Sequence, residues 1–96
     1  MKTRAIKDIL KAEQEFNDVI WYDRKLLLQQ NLKAGKETIS PEIKKGMLAA
    51  MRRAEAKYGK KKIRNYYKDD FGWGMLNGKL SALRWVLGDD WDILDT

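Results

Sequence analysis

Apolar residues recur along the first third of the chain at steps of mostly three and four: Ile6, Ile9, Leu10, Phe16, Val19, Ile20, Leu26 and Leu27. That spacing places them on one side of a helix with 3.6 residues per turn. No Pro or Gly precedes Gly35, and Thr3 is a candidate N-cap, so a helix over about residues 4–33 is expected. A break near residue 17 is the alternative, because Asn17 and Asp18 are residue types that favour caps and turns over helix interiors. The run Val19-Ile20-Trp21-Tyr22 lacks helical polarity. It implies burial on several sides, or an edge pressed against a partner.

Residues 33–39 read as a loop, with Gly35 suited to the position just after a helix. Ser40-Pro41-Glu42 then forms a helix start: a hydroxyl for free amides, a proline where its missing N–H costs nothing, and an acid at the positive end. Ile43, Met47, Ala50, Met51, Ala54 and Tyr58 fall on one face, predicting a second helix over 41–58 that Gly59 ends. Residues 60–68 are expected to be a basic, aromatic connector. Asp69 or Asp70 caps a third helix over 70–87, whose apolar positions nearly encircle it. Gly88 stops that helix. Asp89 or Asp90 is expected to cap a short helical turn over 90–95, with Trp91 and Leu94 folded back onto the core.

No segment has strand character and no internal repeat is visible. The pattern predicts a single all-α domain over residues 1–96: three main helices and the C-terminal turn. The third helix is expected to be central, sandwiched by the other two. Gly74, Gly78, Ser81 and Ala82 make a small-residue stripe on it. Close approach of another helix, with Met51 or Ala54 as neighbours, would account for those glycines.

Composition then narrows the function. The chain is 35% charged and 44% hydrophobic, which are globular values. It has no cysteine and no histidine. Disulfides, thiolate or imidazole zinc sites, and Ser-His or Cys-His nucleophiles are thereby excluded. The N-terminus is charged throughout, without a signal-peptide apolar region, and no apolar run approaches the ~20 residues that span a bilayer. A cytoplasmic protein with no membrane association is expected.

Net charge is +6, unevenly spread. Residues 41–68 carry ten bases and two acids, giving +8, while residues 69–96 carry two bases and six acids, giving −4. The basic block holds Arg52, Arg53, Lys57, Lys60, Lys61, Lys62, Arg64 and Lys68, interleaved with Tyr58, Tyr66 and Tyr67. Cations contact phosphates and tyrosines stack on bases, so nucleic-acid binding is one reading. A solvated, cation-rich helix end is the plainer one.

Asp89, Asp90, Asp92 and Asp95 could supply oxygen ligands to Mg²⁺ or Ca²⁺, although EF-hand spacing is absent. Capping and a solvated acidic rim are the plainer explanation. An enzyme would have to be carboxylate-based, for instance Asp89 and Asp92 on a metal with Lys79 or Arg84 nearby. Asp70-Phe71-Gly72 matches a kinase tripeptide, but no other kinase signature accompanies it. Gly72, Gly74 and Gly78 miss the dinucleotide-binding spacing and follow no strand.

The leading expectation is a non-enzymatic helical protein that binds another protein or a second copy of itself. Trp21, Tyr22, Trp73 and Trp91 are its candidate anchors, because aromatics dominate interface hot spots. No cofactor and no small-molecule substrate is implied. The stretch from Gly74 to Gly88, GMLNGKLSALRWVLG, continuing to Trp91-Asp92 and Leu94-Asp95-Thr96, resembles the C-terminus of a family of short, uncharacterised bacterial and phage-type proteins. The similarity takes in Trp21-Tyr22, Pro41-Glu42-Ile43 and Lys57-Tyr58-Gly59 as well. It implies no activity and no site. The resemblance implies that most members are less basic around residues 60–64, which would make Lys60-Lys61-Lys62 a local feature of this chain and weaken the nucleic-acid reading.

Overall fold

The computed structural model describes residues 1–91. Its elements are four helices: α1 (Ile6–Lys33), α2 (Pro41–Tyr58), α3 (Lys60–Tyr66) and α4 (Asp70–Val86). The fold is all-α, as the periodicity predicts.

α1 runs unbroken for 28 residues, straight through Asn17 and Asp18. Both side chains are used elsewhere. Asn17 accepts from Arg84 of α4, and Asp18 accepts from Gln14 one turn back and from Tyr58 of α2. Neither is left to compete for α1's backbone, so the turn-forming tendency is not expressed. The start of α1 differs from expectation. Ala5, not Thr3, stands at the N-cap, and no side chain caps the free amides. α2 begins as its sequence dictates: Ser40 Oγ accepts from the Ile43 amide at 3.3 Å, with Pro41 in the first turn. Asp69 caps α4, its Oδ1 accepting from the Gly72 amide at 2.7 Å.

The expected connector over 60–68 is mostly a helix. Gly59, at φ 88°, turns the chain between α2 and α3 in a conformation that side-chain-bearing residues resist. The seven residues of α3 then carry Ile63 into the core, where it is fully buried. One aliphatic among four cations is too faint a period for a sequence reading, yet Ile63 docks the segment together with Tyr66, which packs against the same core.

That extra helix changes the architecture. α4 packs against α1 and α3, and α2 packs against α1 and α3. The third predicted helix is therefore not sandwiched between the other two, because α3 stands between α2 and α4. α1 is long enough to serve as the common support. The core joins Val19, Ile20 and Tyr22 of α1, Met47 and Met51 of α2, Ile63 of α3, and Leu76 and Leu80 of α4. The close approach expected at Gly74 and Gly78 does not occur. A Cβ at either position would meet nothing within 4 Å, so neither Met51 nor Ala54 lies against them. α4 uses its leucine side for the core and turns its glycine side outward.

The final helical turn expected over 90–95 lies, from Asp92 onward, outside the described residues. Trp91 is half-exposed and stacks on Trp85, with ring centroids 4.9 Å apart and planes 11° apart, rather than entering the core.

Candidate functional site

Three tyrosine–carboxylate hydrogen bonds hold α1 to α2 and α3. Tyr22 of α1 donates to Glu55 of α2, Tyr58 of α2 donates to Asp18 of α1 at 2.6 Å, and Tyr66 of α3 donates to Glu15 of α1. Burial raises all three phenol pKa values, and the acceptor carboxylates add to the effect. Tyr66 is pushed up to about 12. Tyr67 is also raised by burial. Its ring meets Trp73 edge-on at 6.3 Å, and its hydroxyl finds no hydrogen-bond partner. These groups are structural ties. At neutral pH they hold their protons and are poorly suited to act as bases.

The sequence-predicted residues fall into two groups. Arg52, Arg53 and Lys57 of α2, Lys60, Lys61, Lys62 and Arg64 of α3, and Lys68 beyond it are all exposed. Lys62 approaches Glu15 at 3.4 Å. Their tyrosine neighbours part from them: Tyr66 and Tyr67 turn inward, Tyr66 meeting Phe16 edge-on at 5.8 Å. The basic surface therefore lacks those two rings as stacking platforms. Trp21 and Tyr58 are the aromatics beside it, with the Lys57 ammonium 5.1 Å from the Tyr58 ring. Trp21 floors a shallow groove between α1 and α2 with Ala50 and Ala54, rimmed by Arg53 and Lys57.

Of the four anchor candidates, Tyr22 is buried and bonded to Glu55, so it presents nothing to a partner. Trp21 and Trp73 are partly buried against the core, with the Lys25 ammonium 5.7 Å from the Trp21 ring. Trp91 is half-exposed.

An unclaimed apolar surface lies on α4. Phe71 is 77% exposed, Val86 54%, Trp85 49% and Met75 45%. Phe71, Gly74, Met75, Gly78 and Ala82 line one open groove, with Asp70 and Lys79 at its margins. A helix apolar nearly all round reads as central, which does not separate Phe71, Met75, Trp85 and Val86 from the core. The signal that separates them is two stripes rather than one. Leu76 and Leu80 are buried, while Phe71, Met75, Gly78, Ala82 and Trp85 recur at three- and four-residue steps on the opposite side.

Asp89 and Asp90 are exposed, and Asp92 and Asp95 lie outside the described residues. Among the described residues no group of three carboxylates could hold a metal ion, and no helix is long and apolar enough to cross a membrane. Searches against protein-family models, curated proteins and solved structures return no match.

Proposed function

We propose that this chain acts by binding protein, its own copies included, rather than by catalysis. The observation that carries the reading is an imbalance of apolar surface. Among the described residues eight apolar side chains form the buried core, while ten large ones are exposed. The accessible surface is 7633 Å², against about 5,700 Å² for a compact monomer of 11.3 kDa. Scattered exposed leucines are ordinary, but contiguous apolar patches mark interaction sites. Phe71 and Met75 share one groove, and Trp85, Val86 and Trp91 extend the apolar surface along the same end of the chain. A cysteine-free chain fits a reducing compartment, so the cytoplasm is the proposed setting.

A photo-crosslinking residue placed at position 71 or 85, in the host cell, tests this. Discrete protein adducts are expected at both positions and none at Lys44, an exposed residue of α2. Absence of protein adducts from 71 and 85 alike removes the reading.

The basic surface of α2 and α3 supports a second reading, nucleic-acid binding through phosphate contacts. All eight of its cations are exposed, and Trp21 beside Arg53 and Lys57 is a candidate stacking platform. Four or five phosphate contacts predict a log K against log[salt] slope of about −4 on duplex DNA. Replacing Lys60, Lys61 and Lys62 by Ala should flatten that slope. Wild-type protein that binds neither DNA nor RNA at low salt ends this reading.

A further inference from the structure

α4 carries two apolar stripes, and only one has a partner. Leu76 and Leu80 are buried in the core. Phe71, Met75, Gly78, Ala82 and Trp85 keep coiled-coil spacing on the side turned away from it. Within that outward surface, Gly74 and Gly78 have open space where a Cβ would stand. Glycine is the least favourable ordinary residue in a helix interior after proline. Nothing inside the chain requires it at these two positions.

We propose that this outward stripe is the contact of a two-fold homodimer, in which α4 pairs antiparallel with α4 of a second copy and Gly78 lies at the axis. The proposal rests on the protein-binding reading and names its partner. A two-fold contact must be self-complementary, because the same patch meets itself. The stripe meets that condition at its centre and its two ends, while Met75 falls opposite Ser81. Phe71 and Trp85 each stand seven residues from Gly78, so antiparallel pairing sets Phe71 opposite Trp85 of the second copy. Gly74 then lies opposite Ala82, and Gly78 opposite Gly78. Small residues at the centre let the backbones approach, and the aromatic residues close both ends. An unrelated partner helix would place no demand on this symmetry of bulk.

Electrostatics favour the antiparallel direction. Each positive helix N-terminus sits beside a negative C-terminus, whereas parallel pairing brings like ends together. Along the helix axis, pairing about Gly78 sets Asp70 of one copy within a turn of Arg84 of the other. Arg84 already bonds Asn17 at 2.9 Å and stands 4.0 Å from the Glu13 carboxylate, yet about a third of its side chain remains exposed. Lys79 of both copies faces the opposite edge, and that repulsion keeps the pair weak.

Sedimentation equilibrium from low micromolar to millimolar protein tests the proposal, on the wild type and two variants. The wild-type mass should rise with concentration towards twice the monomer mass. Gly78→Gln should weaken association about tenfold or more, the effect of disrupting an interface centre. The same substitution should raise the Tm of dilute monomer, because Gln is the better helix former. Phe71→Gln should weaken association similarly and leave the dilute Tm near wild type, its ring being mostly in solvent. A mass that never rises, or a dimer indifferent to both substitutions, overturns the proposal. The crosslinking experiment above separates the two levels. Adducts at 71 with a different protein overturn the homodimer and leave the protein-binding reading standing. No adducts at all, with a monomer in solution, overturn both.

Discussion

Tyrosines in this chain do the work that charge pairs do in many helical domains. Tyr22, Tyr58 and Tyr66 each donate to a carboxylate on another helix. A hydrogen bond to a charged group contributes about 1.5–3 kcal/mol, so Tyr22→Phe should lower the unfolding free energy by that amount in urea titrations. The pH dependence follows from the raised phenol pKa values. An unfolded tyrosine titrates near 10, and folded Tyr66 near 12, with Tyr22 and Tyr58 also raised. Folding therefore favours the protonated phenol. The contribution is fully present below about pH 10 and is lost as pH rises through the folded values. Wild-type stability should drop across that alkaline range more steeply than that of a variant with all three tyrosines replaced by Phe. Equal slopes would show that the tyrosines are not the ties described. Two glycines of α4 make a second pair of expectations. A Cβ at Gly72 would stand 2.8 Å from the Tyr66 carbonyl oxygen and 3.1 Å from Asp69 Oδ1, so Gly72→Ala should cost about 1–3 kcal/mol. Gly74→Ala, with nothing to strike, should add about 0.5–1 kcal/mol in dilute protein.

At the scale of elements, the well-marked helices were legible and the fourth was not. Ser40-Pro41 and Asp69 announce α2 and α4 through local chemistry, and the caps form where that chemistry points. α3 is held by tertiary packing of Ile63, together with Tyr66 on Phe16 and Glu15, which no local signal reports. Ile63→Ala should therefore cost about 2–5 kcal/mol and release the segment, visible as lost amide protection over residues 60–66. A smaller loss, confined to residue 63, would mean that α3 stands without its anchor. The same blindness affected α4. Its all-round apolar character fixed its type but not which side met the core, because that depends on where α3 sits. The candidate surface was hidden by the same ambiguity. Phe71 and Met75 look like core residues until Leu76 and Leu80 are seen to fill that role. In the basic block the exposed cations were legible, while the inward turn of Tyr66 and Tyr67 required the positions of Glu15, Phe16 and Trp73.

The molecule as a whole is elongated, 52 × 30 × 24 Å, with a radius of gyration of 15.4 Å against about 12.5 Å for a compact domain of this length. α1 sets the long dimension, and three shorter helices are too few to cover it. The result is a thin core under a large surface, a shape that gains from a partner along α4. The absence of cysteine makes the central contact directly measurable, since a single introduced thiol has no native competitor. In an antiparallel pair centred on Gly78, the two copies of that position approach within the ~4.4–6.8 Å Cα separation that a disulfide spans. Under mild oxidation Gly78→Cys should form a reducible dimer much faster than Gly46→Cys, a control at an equally open and exposed helical glycine of α2. Equal rates at the two positions, or faster crosslinking at position 46, would contradict the account.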